Sequence, residues 1–107
     1  MEVFRGTGKR WAMKPDIYQK IEKDFGDDIA PALDRFQALE AETKGMVDDR
    51  LVRAIIYLAK GDIGALDRYI VMAKLDWRDV LVNAEYRHPG DKKLRDFTLT
   101  FHQLGLL

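Results

Sequence analysis

The sequence predicts an all-α fold: a compact, single-domain bundle of about five helices with irregular or extended segments at both ends. Apolar residues recur at three- and four-residue spacing through the middle of the chain, which is the period of an amphipathic helix. Glycine, proline and aspartate separate these stretches where helices stop and start. The 107 residues are the length of one domain with one core. We expect an irregular basic arm at 1–14, the helical bundle at 15–87 and a tail at 88–107 that packs on the bundle.

The first helix is expected to run from Pro15 to Phe25. Proline suits a first turn because its missing N–H would have no helical partner there, and Gly26 favours a stop in the left-handed conformation. One face carries the apolar residues Ile17, Tyr18, Ile21 and Phe25. On the other faces, i,i+4 ion pairs are expected among Asp16, Lys20 and Asp24.

The second helix is expected to begin at Asp27 or Asp28, since either residue suits the N-cap, and to end at Gly45. Pro31 lies in its first turn, where proline is tolerated. Its apolar stripe consists of Ile29, Ala32, Leu33, Phe36 and Leu39.

The third helix is expected to begin near Met46–Asp48 and to end at Lys60, with Gly61 as the residue that stops it. Two adjacent apolar stripes follow its length. They are Val47, Leu51, Ala54, Ile55 and Leu58, and beside them Val52, Ile56 and Ala59. Two stripes predict burial over more than one face, so we expect this helix at the centre of the core.

The fourth and fifth helices each begin at an aspartate. Asp62 is the predicted N-cap of the fourth, and Asp76 with Asp79 forms an aspartate variant of the capping box at the start of the fifth. The residues expected to face the core are Ile63, Leu66, Tyr69, Ile70 and Ala73, then Trp77, Val80, Leu81 and Ala84. The fifth helix is expected to end near Tyr86–Arg87, shortly before a proline.

The tail contains two conflicting periods. Phe97, Leu99 and Phe101 alternate with polar residues, which is a strand period, whereas a helix would align Leu94, Phe97, Phe101 and Leu104. The pattern does not decide whether residues 94–104 form a strand, a helix or coil. Two threonines favour an extended segment that lies on the bundle. An extended segment needs a partner, which residues 2–5 or the same tail of a second chain would supply.

The composition is that of an ordinary globular protein, with 47% hydrophobic and 34% charged residues. Cysteine is absent, which excludes disulfides and thiolate metal sites and favours a reducing compartment. The first residues contain no apolar run of signal-peptide length. The longest apolar run, Ala54–Ala59, is far shorter than the ~20 residues that span a bilayer. A cytoplasmic protein without membrane association is predicted.

Charge is unevenly distributed although the net charge is zero. Residues 1–14 carry four basic groups and one acidic group, a net +3, and residues 87–107 carry four and two, a net +2. Residues 15–86 carry ten basic and fifteen acidic groups, a net −5. The basic ends are expected to lie against the acidic helices of the same chain or of a second copy, in preference to nucleic acid.

No motif specifies a reaction, a metal or a cofactor. His88 and His102 have no metal-ligating partner at helical spacing. Arg78, Asp79 and Glu85 come nearest to an acid–base group, but we interpret them as bridges to neighbouring helices. No catalytic, metal-binding or cofactor-binding residue is predicted, and the chain is expected not to be an enzyme.

A local resemblance covers roughly half of the chain. The stretch DWRDVLVNAEY at 76–86, with LVRAIIYLAKGD before it and LRDF after it, resembles a group of short uncharacterised bacterial helical proteins. The resemblance implies a small helical domain of bacterial origin. It implies no activity, cofactor or functional residue.

The leading hypothesis is a non-enzymatic protein-interaction domain whose partner is another protein or a second copy of the chain. Its expected surface lies at the basic, aromatic-rich ends: Arg5, Lys9, Arg10, Trp11, Lys92, Lys93, Arg95, Phe97 and Phe101. The alternative is a nucleic-acid-binding protein that uses the same basic termini, with an affinity that falls steeply with salt. An enzyme whose site is assembled from separated carboxylates is the third hypothesis.

Overall fold

The computed structural model describes residues 13–44, 46–86 and 92–107. They form the α-helices α1 (Pro15–Phe25), α2 (Ile29–Thr43), α3 (Asp49–Ala59) and α4 (Ile63–Glu85), and a 3-10 turn at Gly26–Asp28 joins α1 to α2. Across these three ranges no residue belongs to a strand, so the all-α prediction is confirmed. The count of five helices is not confirmed. No helix in the described ranges has both the length and the apolar content to cross a membrane.

Helix α3 lies at the centre of the core, because seven of its eleven residues are buried. Asp48 caps its start by accepting the Leu51 N–H at 2.9 Å. The connection from α3 to α4 runs close against the end of α1. Gly61 has a φ of +79°, and a side chain there would collide with the backbone carbonyl of Asp24, so the position requires glycine. Asp62 then caps α4 by accepting the Ala65 N–H at 2.7 Å, as predicted.

Helix α4 is kinked at Asp76, where φ is −158° and ψ is 97°. The extended backbone at Asp76 separates two helical segments within α4, and this break falls at the residue predicted to cap the fifth helix. The Asp76 carboxylate accepts the Arg78 N–H at 3.1 Å, as an N-capping residue does. After the kink, Val80, Leu81 and Ala84 are buried as predicted. Trp77, predicted to face the core, is 51% exposed.

The tail at residues 92–107 consists of turns, apart from an isolated bridge between Tyr86 and Lys93. The favoured extended conformation is therefore wrong. Phe97 and Phe101 are completely buried, while Leu99 between them is exposed. The inward residues are thus four apart, and the two phenyl rings pack edge to face with centroids 6.2 Å apart. In this way an irregular segment completes the helical core.

Candidate interaction surface

A buried aspartate on α1 holds the tail through an arginine on α3. Asp16 accepts two hydrogen bonds from the Arg53 guanidinium, at 3.0 and 3.1 Å. The same carboxylate accepts the backbone N–H of Phe101 at 3.0 Å. Arg53 also donates to the carbonyl of Phe97 at 3.1 Å. Two charged side chains thus satisfy polar backbone groups of the tail inside the core.

A buried glutamate at the end of α4 does the same for the beginning of the tail. Glu85 is completely buried, and its Oε2 accepts Arg50 Nε and the Phe97 N–H, both at 3.0 Å. Lys93 Nζ lies 3.8 Å from its Oε1. The backbone carbonyl of Glu85 accepts the Leu94 N–H at 2.6 Å. The predicted bridge from Glu85 to a neighbouring helix therefore exists, with Arg50 of α3 as its partner.

The electrostatics of these groups fit a structural role. Burial raises the pKa of Asp16, but the hydrogen bonds from Arg53 and Phe101 and the guanidinium charge outweigh burial and hold that pKa below its usual value. Hydrogen bonding to Glu85 raises the pKa of Arg50. The Asp16 carboxylate is thus ionised at neutral pH and engaged by donors of the chain itself. We interpret both carboxylates as fixing the tail.

The structure separates the residues predicted as an interaction surface. Four of them, Arg5, Lys9, Arg10 and Trp11, lie outside the described residues. Phe97 and Phe101 are completely buried, so they belong to the core and not to a surface. Lys93 lies near Glu85 and Asp96, and Arg95 donates to the Ala84 carbonyl at 2.8 Å and stacks over the Tyr57 ring. Lys92 is exposed.

An apolar groove lies between the end of α2, the start of α3 and the kinked part of α4. Its volume is about 660 Å³. Its apolar lining is Met46, Val47, Leu51, Ala73, Trp77 and Leu81. Its polar rim is Glu42, Thr43, Lys44, Asp48, Arg50 and Lys74. We refer to this feature as the Trp77 groove.

One aromatic side chain, Trp77, and one thioether side chain, Met46, are the most exposed apolar residues of the Trp77 groove. Trp77 is half exposed, and Met46 on the opposite side is 86% exposed. Tryptophan and methionine are enriched where proteins bind other proteins, and tryptophan is among the commonest binding hot spots. The rim is ordered by two ion pairs, Arg50 with Glu85 and Lys74 with Glu42. The groove thus combines apolar walls with a charged, positioned edge.

Sequence reasoning missed the two features that matter most here. Of the two ion pairs predicted on α1, Lys20 with Asp24 is confirmed at 3.0 Å, but Asp16 with Lys20 is wrong, because Asp16 turns inward to Arg53. The only signal for this was Arg53 itself, a charge on a helix predicted to be buried on several faces. The Trp77 groove was missed because Trp77 was assigned to the core, although the aspartates at 76 and 79 did mark the break in the helix.

Comparison with known proteins does not assign this chain to a family. No protein-family model matches this chain, and no curated protein or solved structure is significantly similar to it. The resemblance to short bacterial helical proteins therefore stays a prediction. Within the described part of the chain, no three His, Cys, Asp or Glu side chains are grouped as a metal site would require.

Proposed function

We propose that this chain is a non-enzymatic protein-interaction domain and that the Trp77 groove binds one amphipathic helix of a partner protein. The observation that carries the proposal is the half-exposed Trp77 on the wall of an apolar groove. A buried aromatic residue at this position would stabilise the core. Trp77 is 51% exposed, so the exposed half of its ring would leave water only if another molecule covered the groove.

The shape of the groove supports a helical occupant. A cleft between helices accepts the apolar face of an amphipathic helix, whose anchors recur at i, i+3 or i+4, and i+7. Met46 can adjust to different anchors because its side chain is unbranched and flexible. Trp77 supplies a large rigid surface at low entropic cost.

The rim of the groove supports specificity in orientation. The rim contains three basic residues, Lys44, Arg50 and Lys74, and two acidic residues, Glu42 and Asp48. Both signs of charge are therefore present. Rim charges mainly set the orientation and association rate of a partner and contribute less to affinity. The proposed location is the cytoplasm, which the cysteine-free sequence supports.

The proposal is tested by selecting amphipathic helical peptides of about 15 residues from a display library against the full chain. The expected peptides bind the parent chain and lose at least about thirtyfold in affinity on Trp77→Ala, because a tryptophan hot spot contributes about 2 kcal/mol or more. Tyr18→Ala is the matched control, since Tyr18 is an exposed aromatic residue on α1, 44% exposed and outside the groove.

Two results would overturn the proposal. One is a selection that yields no peptide specific for the folded chain. The other is a set of binders whose affinity falls equally on Trp77→Ala and Tyr18→Ala, because such binders would not recognise the groove. Circular dichroism of both variants confirms that they remain folded.

A further inference from the structure

Met46 is the most exposed methionine among the described residues, and it lines the Trp77 groove. Met13 and Met72 are partly buried and pack against the core. The Met72 sulfur also accepts a hydrogen bond from Asn83 Nδ2 at 3.7 Å. Because the chain contains no cysteine, the thioether of methionine is the only sulfur group that it can present to an oxidant.

The thioether of an exposed methionine is open to oxidation by peroxides. The sulfur takes one oxygen atom from hydrogen peroxide: the O–O bond breaks, an S–O bond forms, and the rest of the peroxide leaves as water. The product, methionine sulfoxide, is reduced again when a dithiol is oxidised to a disulfide and the oxygen leaves as water. The modification is therefore reversible in a compartment that supplies thiols.

We infer that Met46 is a reversible oxidation site at which peroxides close the Trp77 groove to its partner. The consequence for binding rests on the proposed function, because it is the regulation of that same groove. Oxidation turns an apolar, adaptable side chain into a polar one. A partner helix that covered the sulfoxide with an apolar anchor would bury its oxygen without a hydrogen bond, which is unfavourable.

The position of Met46 confines the effect to the groove. Met46 lies between the end of α2 at Thr43 and the start of α3 at Asp49, and it does not belong to the buried core. Oxidation of Met13 or Met72 would instead set a polar oxygen against the core. Oxidation of Met46 therefore changes the binding surface while the fold is retained.

The rate of oxidation tests the site without any partner. The full chain is treated with hydrogen peroxide, sampled over time, digested with trypsin and analysed by mass spectrometry. Cleavage after lysine and arginine, except before proline, places Met13, Met46 and Met72 in separate peptides, residues 11–20, 45–50 and 69–74. Met46 is expected to react about threefold or more faster than the other two, because exposure controls access of the peroxide.

The affinity for the selected groove peptides tests the consequence. After brief oxidation the parent chain is expected to bind about tenfold or more weakly, because the sulfoxide is buried without a donor. Methionine sulfoxide reductases for both stereoisomers, supplied with a dithiol, are expected to restore the affinity. Circular dichroism checks that the oxidised chain remains folded.

Two leucine variants assign any loss of affinity to one sulfur. Met46→Leu conserves volume and lacks the thioether, so it is expected to bind within about threefold of the parent and to be insensitive to peroxide. Met72→Leu is the matched control and is expected to keep the sensitivity of the parent.

The outcomes separate the inference from the proposed function. A Met46 rate no higher than those of Met13 and Met72 overturns the inference and leaves the proposed function standing. Unchanged peptide affinity after oxidation, or an equal loss in oxidised Met46→Leu, overturns the closing of the groove. A selection without groove-specific peptides overturns the proposed function and the closing with it, while the rates still decide whether Met46 is the oxidation site.

Discussion

The tail and helix α4 distribute their apolar side chains in opposite ways. The tail at 92–107 has no regular helix, yet Phe97 and Phe101 are completely buried. Helix α4 is regular on both sides of its break at Asp76, yet Leu75 and Trp77 on it are exposed. Regular backbone and buried side chains are therefore separate properties in this molecule.

The difference follows from where the backbone hydrogen bonds go. A helix satisfies its own N–H and C=O groups, so any face of it can meet solvent or a partner. Irregular backbone can be buried only if other groups satisfy it. Here Glu85, Asp16 and Arg53 bond backbone groups of Phe97 and Phe101. The buried charges are what allow an irregular tail to form part of the core.

The largest effect is expected from removing the arginine that serves both the aspartate and the tail. Arg53→Met leaves the Asp16 carboxylate buried without its counter-charge and the Phe97 carbonyl without its donor. Breaking a buried pair in this way costs about 3–5 kcal/mol. We expect a loss near the upper end of that range in the free energy of unfolding, measured by urea denaturation. A loss below about 1 kcal/mol, the value of a surface ion pair, would mean that the tail is held by other contacts.

A slightly smaller loss is expected from shortening the buried aromatic residue of the tail. Phe97→Ala removes a completely buried ring that packs 5.4 Å from the Tyr57 ring. We expect a loss of about 3–4 kcal/mol, in the lower part of the range for buried aromatic truncations, because turns can partly collapse. The control is Leu99→Ala, two residues on and exposed, which is expected to stay within about 0.5 kcal/mol. Equal losses for both variants would contradict the burial of one and not the other.

Acid is expected to weaken the tail through Asp16. Because its pKa is lowered in the folded chain, the stabilisation by Asp16 is present above the ordinary carboxyl pKa of about 3.9 and is lost as the pH falls through the lowered value. Urea denaturation of the parent chain and Asp16→Asn isolates this contribution. The difference in unfolding free energy is expected to be constant above about pH 5 and to shrink below about pH 4. A difference that grows on acidification would show that the sign is wrong.

The smallest effect on stability is expected on the exposed side of α4. Leu75→Ala removes a side chain that is 82% exposed, so it is expected to change the unfolding free energy of the monomer by no more than about 0.5 kcal/mol. Trp77→Ala also removes the buried half of the ring, so it is expected to cost about 1–2 kcal/mol. Thermal and urea denaturation at low protein concentration measure both. A loss of about 4 kcal/mol or more on Trp77→Ala, as for a fully buried aromatic residue, would place Trp77 in the core and remove the basis for the groove.

The regular part of the fold could be predicted from local chemistry. Helix α1 has the predicted bounds, because proline and glycine act on the backbone nearest to them. Asp62 caps α4 as expected, and the break at Asp76 lies where a cap was placed. Each of these residues is explained by neighbours within a few positions in the sequence.

The rest depends on contacts between distant residues, which a helical period does not encode. Asp16 and Arg53 are 37 positions apart, and Asp16 and Phe101 are 85 apart. The alternation in the tail was a poor guide because side chains of other elements hold its backbone: Arg53 donates to the Phe97 carbonyl, and Asp16 and Glu85 accept tail N–H groups. Tyr18, placed on the apolar face of α1 by its spacing, is exposed.

One measurement tests both halves of the comparison. A soluble paramagnetic gadolinium chelate, titrated into the full chain, broadens the NMR signals of atoms that solvent reaches. The structure predicts strong broadening of ring signals of Trp77 and of the Met46 methyl group, with sharp backbone amide signals for Phe97 and Phe101. A shielded Trp77 indole or broadened amides at Phe97 and Phe101 would contradict the account of a closed tail and an open groove.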